Sequence, residues 1–154
     1  MAKTARYVSA EKAAQFFKAD ILVKDGDVLE LGRTKMRFLE TPGHTRGVIS
    51  PFFETEENGK TYRVGMFGGA GANTLVRESF DYDNCREDYI NSVHRLMGEK
   101  VDVFIGNHVW NNNTEVFGEI LRKTGENKFI DSELWTDFLT YCEKRAVKIA
   151  EADR

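Results

Sequence analysis

Hydrophobic positions in the first half of the chain recur at every second residue. Residues 35–40 are the cleanest case. Met36 and Phe38 face one way and Lys35 and Arg37 the other, the alternation of a strand with one buried face. Residues 28–31 before it, and 48–55 and 61–67 after it, are further strand candidates. Residues 21–23 read as one more short strand, joined to 28–31 by an Asp25-Gly26-Asp27 turn. The loop Glu56-Glu57-Asn58-Gly59 is acidic and ends in a hairpin dipeptide.

Beyond these strands the period lengthens to that of a helix. Asn84 followed by Glu87 is a capping box, and Tyr89, Val93, Leu96 and Met97 then share a face until Gly98 ends the helix. Residues 101–105 form a short apolar run, the pattern of a buried strand. Thr114 caps a helix over 115–123, and Asp131 or Ser132 opens the last one. Its stripe is Leu134, Phe138, Cys142, Ala146 and Ile149, and Lys144, Arg145 and Lys148 suit the negative end of its dipole. Upstream, Ser9 caps a short helix to about Lys18, with Ala13, Phe16 and Phe17 on its apolar side, so residues 1–19 read as a helical segment of their own. The order predicts an α+β fold: one mostly antiparallel sheet with helices on one face. The other face, with Ile49, Phe53, Val64 and Phe67, then needs a partner layer that no remaining element supplies.

Composition narrows the picture. The chain has 154 residues, enough for one domain, with 41% hydrophobic and 31% charged residues. A formal net charge of -3 is too small to argue for nucleic acid or an acidic membrane surface as a partner, and neither is expected. There is no apolar run of the ~20 residues of a membrane span, and the first twenty residues lack the apolar core of a signal peptide, so a cytoplasmic location is the expectation for this chain. Cys85 and Cys142 lie far apart with no CxxC spacing, the pattern of buried idle thiols rather than a disulfide.

Candidate chemistry rests on few residues. Of the histidines His44, His94 and His108, the first and last follow strand candidates. His44 sits in Thr41-Pro42-Gly43-His44-Thr45-Arg46-Gly47, where Pro-Gly forces a turn, and His108 closes Ile105-Gly106-Asn107-His108. Imidazoles at strand ends are what a metal or catalytic site uses, although each can equally just hydrogen-bond a loop. His94 lies within a helix and reads as structural or solvent-facing. The run Gly65 to Gly71 lacks the Lys-Ser/Thr pair of a phosphate loop and reads as a tight turn passing close to a site, with Gly69 on the substrate side. Asn111 and Asn112, in the polar loop beside His108, are candidate substrate contacts or an ordinary Asn-rich turn.

These residues carry a resemblance. Thr41-Pro42-Gly43-His44-Thr45-x-Gly47 resembles the TPGHTxG signature of the metallo-β-lactamase superfamily. Upstream, Asp25-Gly26-Asp27 with Leu29-x-Leu31-Gly32 resembles the family's DGD segment, and the Gly68-Gly69-x-Gly71 turn and Val101-Asp102-Val103 before His108 keep its order. The likeness covers residues 20–150 and is nearest the third lactamase subclass. It implies the C-terminal half of an αββα sandwich, with a zinc-binding edge at which His44 completes a first metal site and His108 binds a second zinc. No histidine precedes His44, so the family's HxHxDH motif, with its remaining ligands and its aspartate beside the attacking water, is missing. Met66-Phe67-Gly68-Gly69 also lacks the carboxylate that some subclasses carry there.

The resemblance thus implies a truncated zinc hydrolase, impaired alone, with no catalytic residue named. Alternatives are a homodimer joined through the bare sheet face, with His44 and His108 of both chains sharing a metal as a weak hydrolase, or a non-catalytic structural or binding module.

Overall fold

A computed structural model describes residues 19–153 of the chain. The predicted helix over residues 9–18 lies outside the described residues. Five strands form one sheet in chain order: β1 (Val28–Leu31), β2 (Thr34–Glu40), β3 (Ile49–Glu57), β4 (Lys60–Gly65) and β5 (Val103–Phe104). The first three junctions are antiparallel hairpin or loop connections, and β5 joins β4 in parallel. The parallel junction follows from connectivity, because helix α1 (Cys85–Met97) intervenes and returns the chain to the same end of the sheet. Helices α2 (Thr114–Thr124) and α3 (Ser132–Ala152) follow.

The tight turns are chemically dictated. Asn58 and Gly59 both adopt positive φ, 53° and 75°, so β3 and β4 run up to a two-residue turn. The expected four-residue acidic loop is therefore shorter, and Glu56 and Glu57 belong to the strand. Residues 21–23, expected as a strand, pair with no sheet neighbour, and Ile21 and Leu22 are exposed. The Asp25-Gly26-Asp27 turn instead extends the edge of the sheet. Gly26 N donates to Phe38 O at 2.8 Å and Phe38 N to Asp27 O at 2.9 Å.

Register separates two faces. Leu39 opposes Ser50, and Phe52 opposes both Arg37 and Gly65, so these share the face that α1 and α3 cover. Trp135 of α3 is the keystone there. It meets Phe52 edge-on at 6.1 Å and Phe104 at 5.5 Å, and its indole N–H donates to Leu96 O of α1. The buried stripe of α3 is Trp135, Leu139, Cys142 and Ala146, while Leu134, Phe138 and Ile149 flank it. Cys142 and Ala146 belong to the predicted stripe, whereas Trp135 and Leu139, rather than Leu134 and Phe138, fill the gap between sheet and α1. Helix α2 has no buried residue, and its Phe117 packs on Phe129.

The opposite face carries Met36, Phe38, Ile49, Pro51, Phe53, Val64 and Val103, as the pairs Met36–Phe53, Phe38–Pro51, Phe53–Val64 and Val64–Val103 require. This is the apolar face that the sequence left without a layer. One member differs: Phe67, past the end of β4, turns into the helix-side core against Tyr89. Strand alternation ceases at Gly65, so period-two reasoning no longer applies to it.

Two predicted caps are absent. Asn84 makes no side-chain cap bond, and the helix begins through Cys85 N donating to Tyr82 O and Asp88 N to Asn84 O. Thr114 is the first residue of α2 rather than its cap, which is Asn113 with φ 53°. Asp131 does cap α3, accepting from Glu133 N at 2.9 Å. Both cysteines are free and buried, and burial pushes the Cys142 thiol up to about 11, which keeps it protonated and unreactive.

Asp102, at the start of β5, ties that strand to β4. Its carboxylate accepts from the Arg63 side chain at 2.7 and 2.8 Å and from Arg63 N at 2.9 Å. These bonds hold its carboxyl down at about 2, against an ordinary 3.8. A carboxyl depressed by folding stabilises above its unfolded pKa, and that contribution disappears as pH falls through the folded value. Urea midpoints are therefore expected to fall between pH 4 and pH 2. Asp102→Asn is expected to lower the neutral-pH midpoint and flatten the acid dependence; because Arg63 is nearly half exposed, the loss is small.

Candidate metal centre

His44 stands on the turn that leaves β2. Thr41 N donates to Val48 O at 2.9 Å, closing the base of that turn, and Thr41 Oγ1 shares a 2.7 Å hydrogen bond with Ser50 Oγ in the buried interior. The turn is then clamped by α1. Gly43 has φ 140°, and a Cβ there would lie 2.5 Å from both Cα and Cβ of Tyr89. Only glycine permits helix and turn to approach so closely. Ser92 Oγ, one turn further along α1, donates to Pro42 O at 2.7 Å.

The glycine run after β4 forms the second wall. Gly68 N donates to Ser50 Oγ, and a Cβ on Gly68 would strike Ile49 O at 2.0 Å. Gly69 is buried, and a Cβ there would lie 2.8 Å from Val48 Cγ1 and 3.2 Å from His44 Cβ. The reading of these glycines as a close-passing turn holds, but Gly69 backs the His44 turn rather than lining a cleft. Tyr89 reaches this wall too, its hydroxyl donating to Ala70 O at 2.8 Å.

The His44 ring is thereby oriented. Its Nδ1 lies 2.8 Å from Gly71 O, and a carbonyl only accepts, so Nδ1 carries the proton. Thr74 Oγ1 sits 3.0 Å from the same nitrogen. Nε2 is left with its lone pair, the tautomer that a metal-ligating imidazole adopts when its other nitrogen donates to a backbone carbonyl. Thr74 was not foreseen, since nothing in a Thr following a glycine run marks it as a histidine's neighbour.

His108 follows β5 on the adjoining loop and is exposed. Its ring stacks on Trp110 with centroids 4.3 Å apart and planes 8° from parallel. Asn111 Oδ1 accepts from His108 N at 3.0 Å, and Asn107 Nδ2 donates to Gly68 O at 2.9 Å, tying this loop to the glycine wall. Gly71, which holds His44, lines one cleft together with His108, Trp110 and Asn111. Asn112 is a different case. It is buried, with its amide donating to Phe104 O and its oxygen accepting from Thr114, so it holds the loop rather than facing a ligand. His94 pairs with Glu143 at 2.6 Å, linking α1 to α3 on the surface, the structural role expected of it.

As a metal site the arrangement is partial. His44 has the right tautomer, but a catalytic zinc takes three protein ligands and an open position. Among the described residues, no three His, Cys, Asp or Glu side chains come together to hold an ion. A complete catalytic zinc site is not assembled among the described residues.

Solved structures share this arrangement of elements. The metallo-β-lactamase FEZ-1 of Legionella gormanii superposes with a TM-score of 0.76 at 27% identity, over 84% of this chain and 50% of that one. BJP-1, a subclass B3 metallo-β-lactamase of Bradyrhizobium japonicum, gives 0.78 at 22% identity, over 90% of this chain and 54% of that one. GOB-18 of Elizabethkingia meningoseptica gives 0.71 at 24% identity, over 89% and 52%. This chain carries the C-terminal half of the metallo-β-lactamase superfamily fold. It spans about half the length of the structures it matches. No protein-family model and no curated protein matches it. No helix among the described residues is long and apolar enough to cross a membrane.

Two measurements check the construction of this half-site. Nitrogen-15 correlation spectra of the neutral His44 ring are expected to show the proton on Nδ1, and protonation at Nε2 would contradict the geometry. Gly43→Ala forces a Cβ into the Tyr89 backbone and strains φ; it is expected to cost at least ~2 kcal/mol in urea unfolding.

Proposed function

We propose that this chain contributes one side of a zinc hydrolase site, with His44 and His108 as its metal ligands, and that alone it hydrolyses substrate poorly or not at all. The observation that carries this reading is the His44 ring, whose Nδ1 donates to Gly71 O and leaves Nε2 bare. Bound zinc would supply a metal-activated hydroxide. This chain's own part is to orient the imidazoles, through the Gly71 carbonyl on one side and through Trp110 and Asn111 on the other. The water-directing aspartate of the family motif has no counterpart, since no HxHxDH occurs in the sequence.

A second reading is favoured by the sheet. Its outer face presents Met36, Phe38, Ile49, Pro51 and Phe53 in continuous register. Two copies related by a two-fold axis would bury identical faces against each other. Four imidazoles, His44 and His108 from each chain, would then be available to hold one tetrahedral zinc. The matched structures, about twice as long, are consistent with a second layer there.

Light scattering after size exclusion, combined with metal analysis of untagged protein, tests both readings. The expected result is a dimer that carries zinc, and loss of nearly all the zinc in a His44→Ala, His108→Ala double variant. A monomer with equal, negligible zinc in both proteins would overturn the shared-metal reading and leave a non-catalytic module. Nitrocefin or thioester turnover with added zinc is expected to be weak at most; any turnover should vanish with chelator and in His108→Ala.

A further inference from the structure

Beside His108 lies a cleft of about 510 Å³, between the glycine wall, the 106–113 loop and α3. That volume falls in the range of small-ligand sites. Its walls differ sharply in chemistry. One carries the His108–Trp110 stack, and Trp110 is 70% exposed although it is the largest apolar side chain on the loop. Opposite, α3 contributes Phe138, Tyr141 and Arg145. Tyr141 is more than half exposed, so both aromatic walls stand open to solvent. The amides of Asn73 and Asn111 complete the lining.

The charge distribution is one-sided. Arg145 is the formal charge of the lining, and no carboxylate is among the lining residues. Four guanidiniums elsewhere in the fold are committed to carboxylates: Arg37 to Glu99, Arg63 to Asp102, Arg86 to Asp153 and Arg95 to Asp25. Arg145 makes no ion pair or hydrogen bond among the described residues. It places an uncompensated guanidinium beside open aromatic rings. Arginine presents a planar fork of donors suited to a carboxylate or a similar oxyanion. The stacked His108–Trp110 pair offers a preformed flat surface, so little side-chain order is lost when a planar group lies on it.

We propose that this cleft binds small organic anions with a flat apolar body, the anionic group on Arg145 and the body against Trp110 and Tyr141. Binding at this cleft needs no metal ion, although the cleft shares His108 with the proposed zinc site.

The test uses the full chain in chelator, with phenylacetate and its neutral isostere phenylacetamide as probes. Of the two tryptophans, Trp110 is exposed and Trp135 buried, so emission quenching reports chiefly on the cleft, and Trp110→Phe identifies the signal. Phenylacetate is expected to bind about tenfold more tightly than phenylacetamide, as loss of a charge-assisted hydrogen bond implies. Arg145→Gln should remove that difference, and Arg145→Lys should restore part of it, with thermal midpoints unchanged because Arg145 is exposed. Equal affinity for the two probes would overturn the proposal, as would an Arg145→Gln variant that still prefers phenylacetate. Zinc content is measured separately, so failure here leaves the metal reading untouched.

Discussion

The half-fold turns on one contact, the seating of helix α1 against Gly43. Backbone is pressed on backbone there, with no room for even a methyl group. Several consequences follow from that closeness. Tyr89 lies deep enough for its hydroxyl to reach Ala70 O, and Ser92 is placed to hold Pro42 O. A single helix thus fastens two loops that are far apart in sequence. The carbonyl that orients His44 belongs to Gly71, the residue after Ala70, so the direction of the imidazole depends on a contact made by its neighbour in the turn. Moving α1 outward by the width of a Cβ would release both loops together.

The second organising feature is the imbalance of the sheet. On one side Trp135, Phe52, Phe104 and Leu96 form a dense core with edge-on ring packing. On the other, the apolar face is covered by no helix among the described residues. Val64 shows the difference: it is almost fully buried, yet it lies between its register partners Phe53 and Val103 and not in the helix-side core. A fold whose solved relatives are about twice as long would cover such a face from the opposite layer.

Much was legible from local pattern. Alternation located β2, and the Asn58-Gly59 dipeptide located a hairpin because only residues that tolerate positive φ make that turn. Capping was read less well. Asn84 and Glu87 have the spacing of a capping box, but the helix start is satisfied by backbone carbonyls of the preceding turn, and a spacing rule does not see that competition. Asn112 illustrates the same limit. Three asparagines in a row look equivalent, yet one is buried under the loop with both amide ends bonded while Asn111 lines a cleft.

By itself the sequence determined most element types between residues 28 and 152, the two strand-end histidines and their shortage, since a ligand count needs no geometry. It also carried the glycines, whose missing side chains are a statement about close approach without saying to what. Tertiary structure decided the rest: which nitrogen of His44 is bare, that Gly69 backs the histidine while Gly71 orients it, and that His108 lies on Trp110. The outcomes at His44 depend on residues 27 and 25 positions apart meeting within hydrogen-bond or van der Waals distance. Hydrophobic periodicity states which face is buried, but never against what.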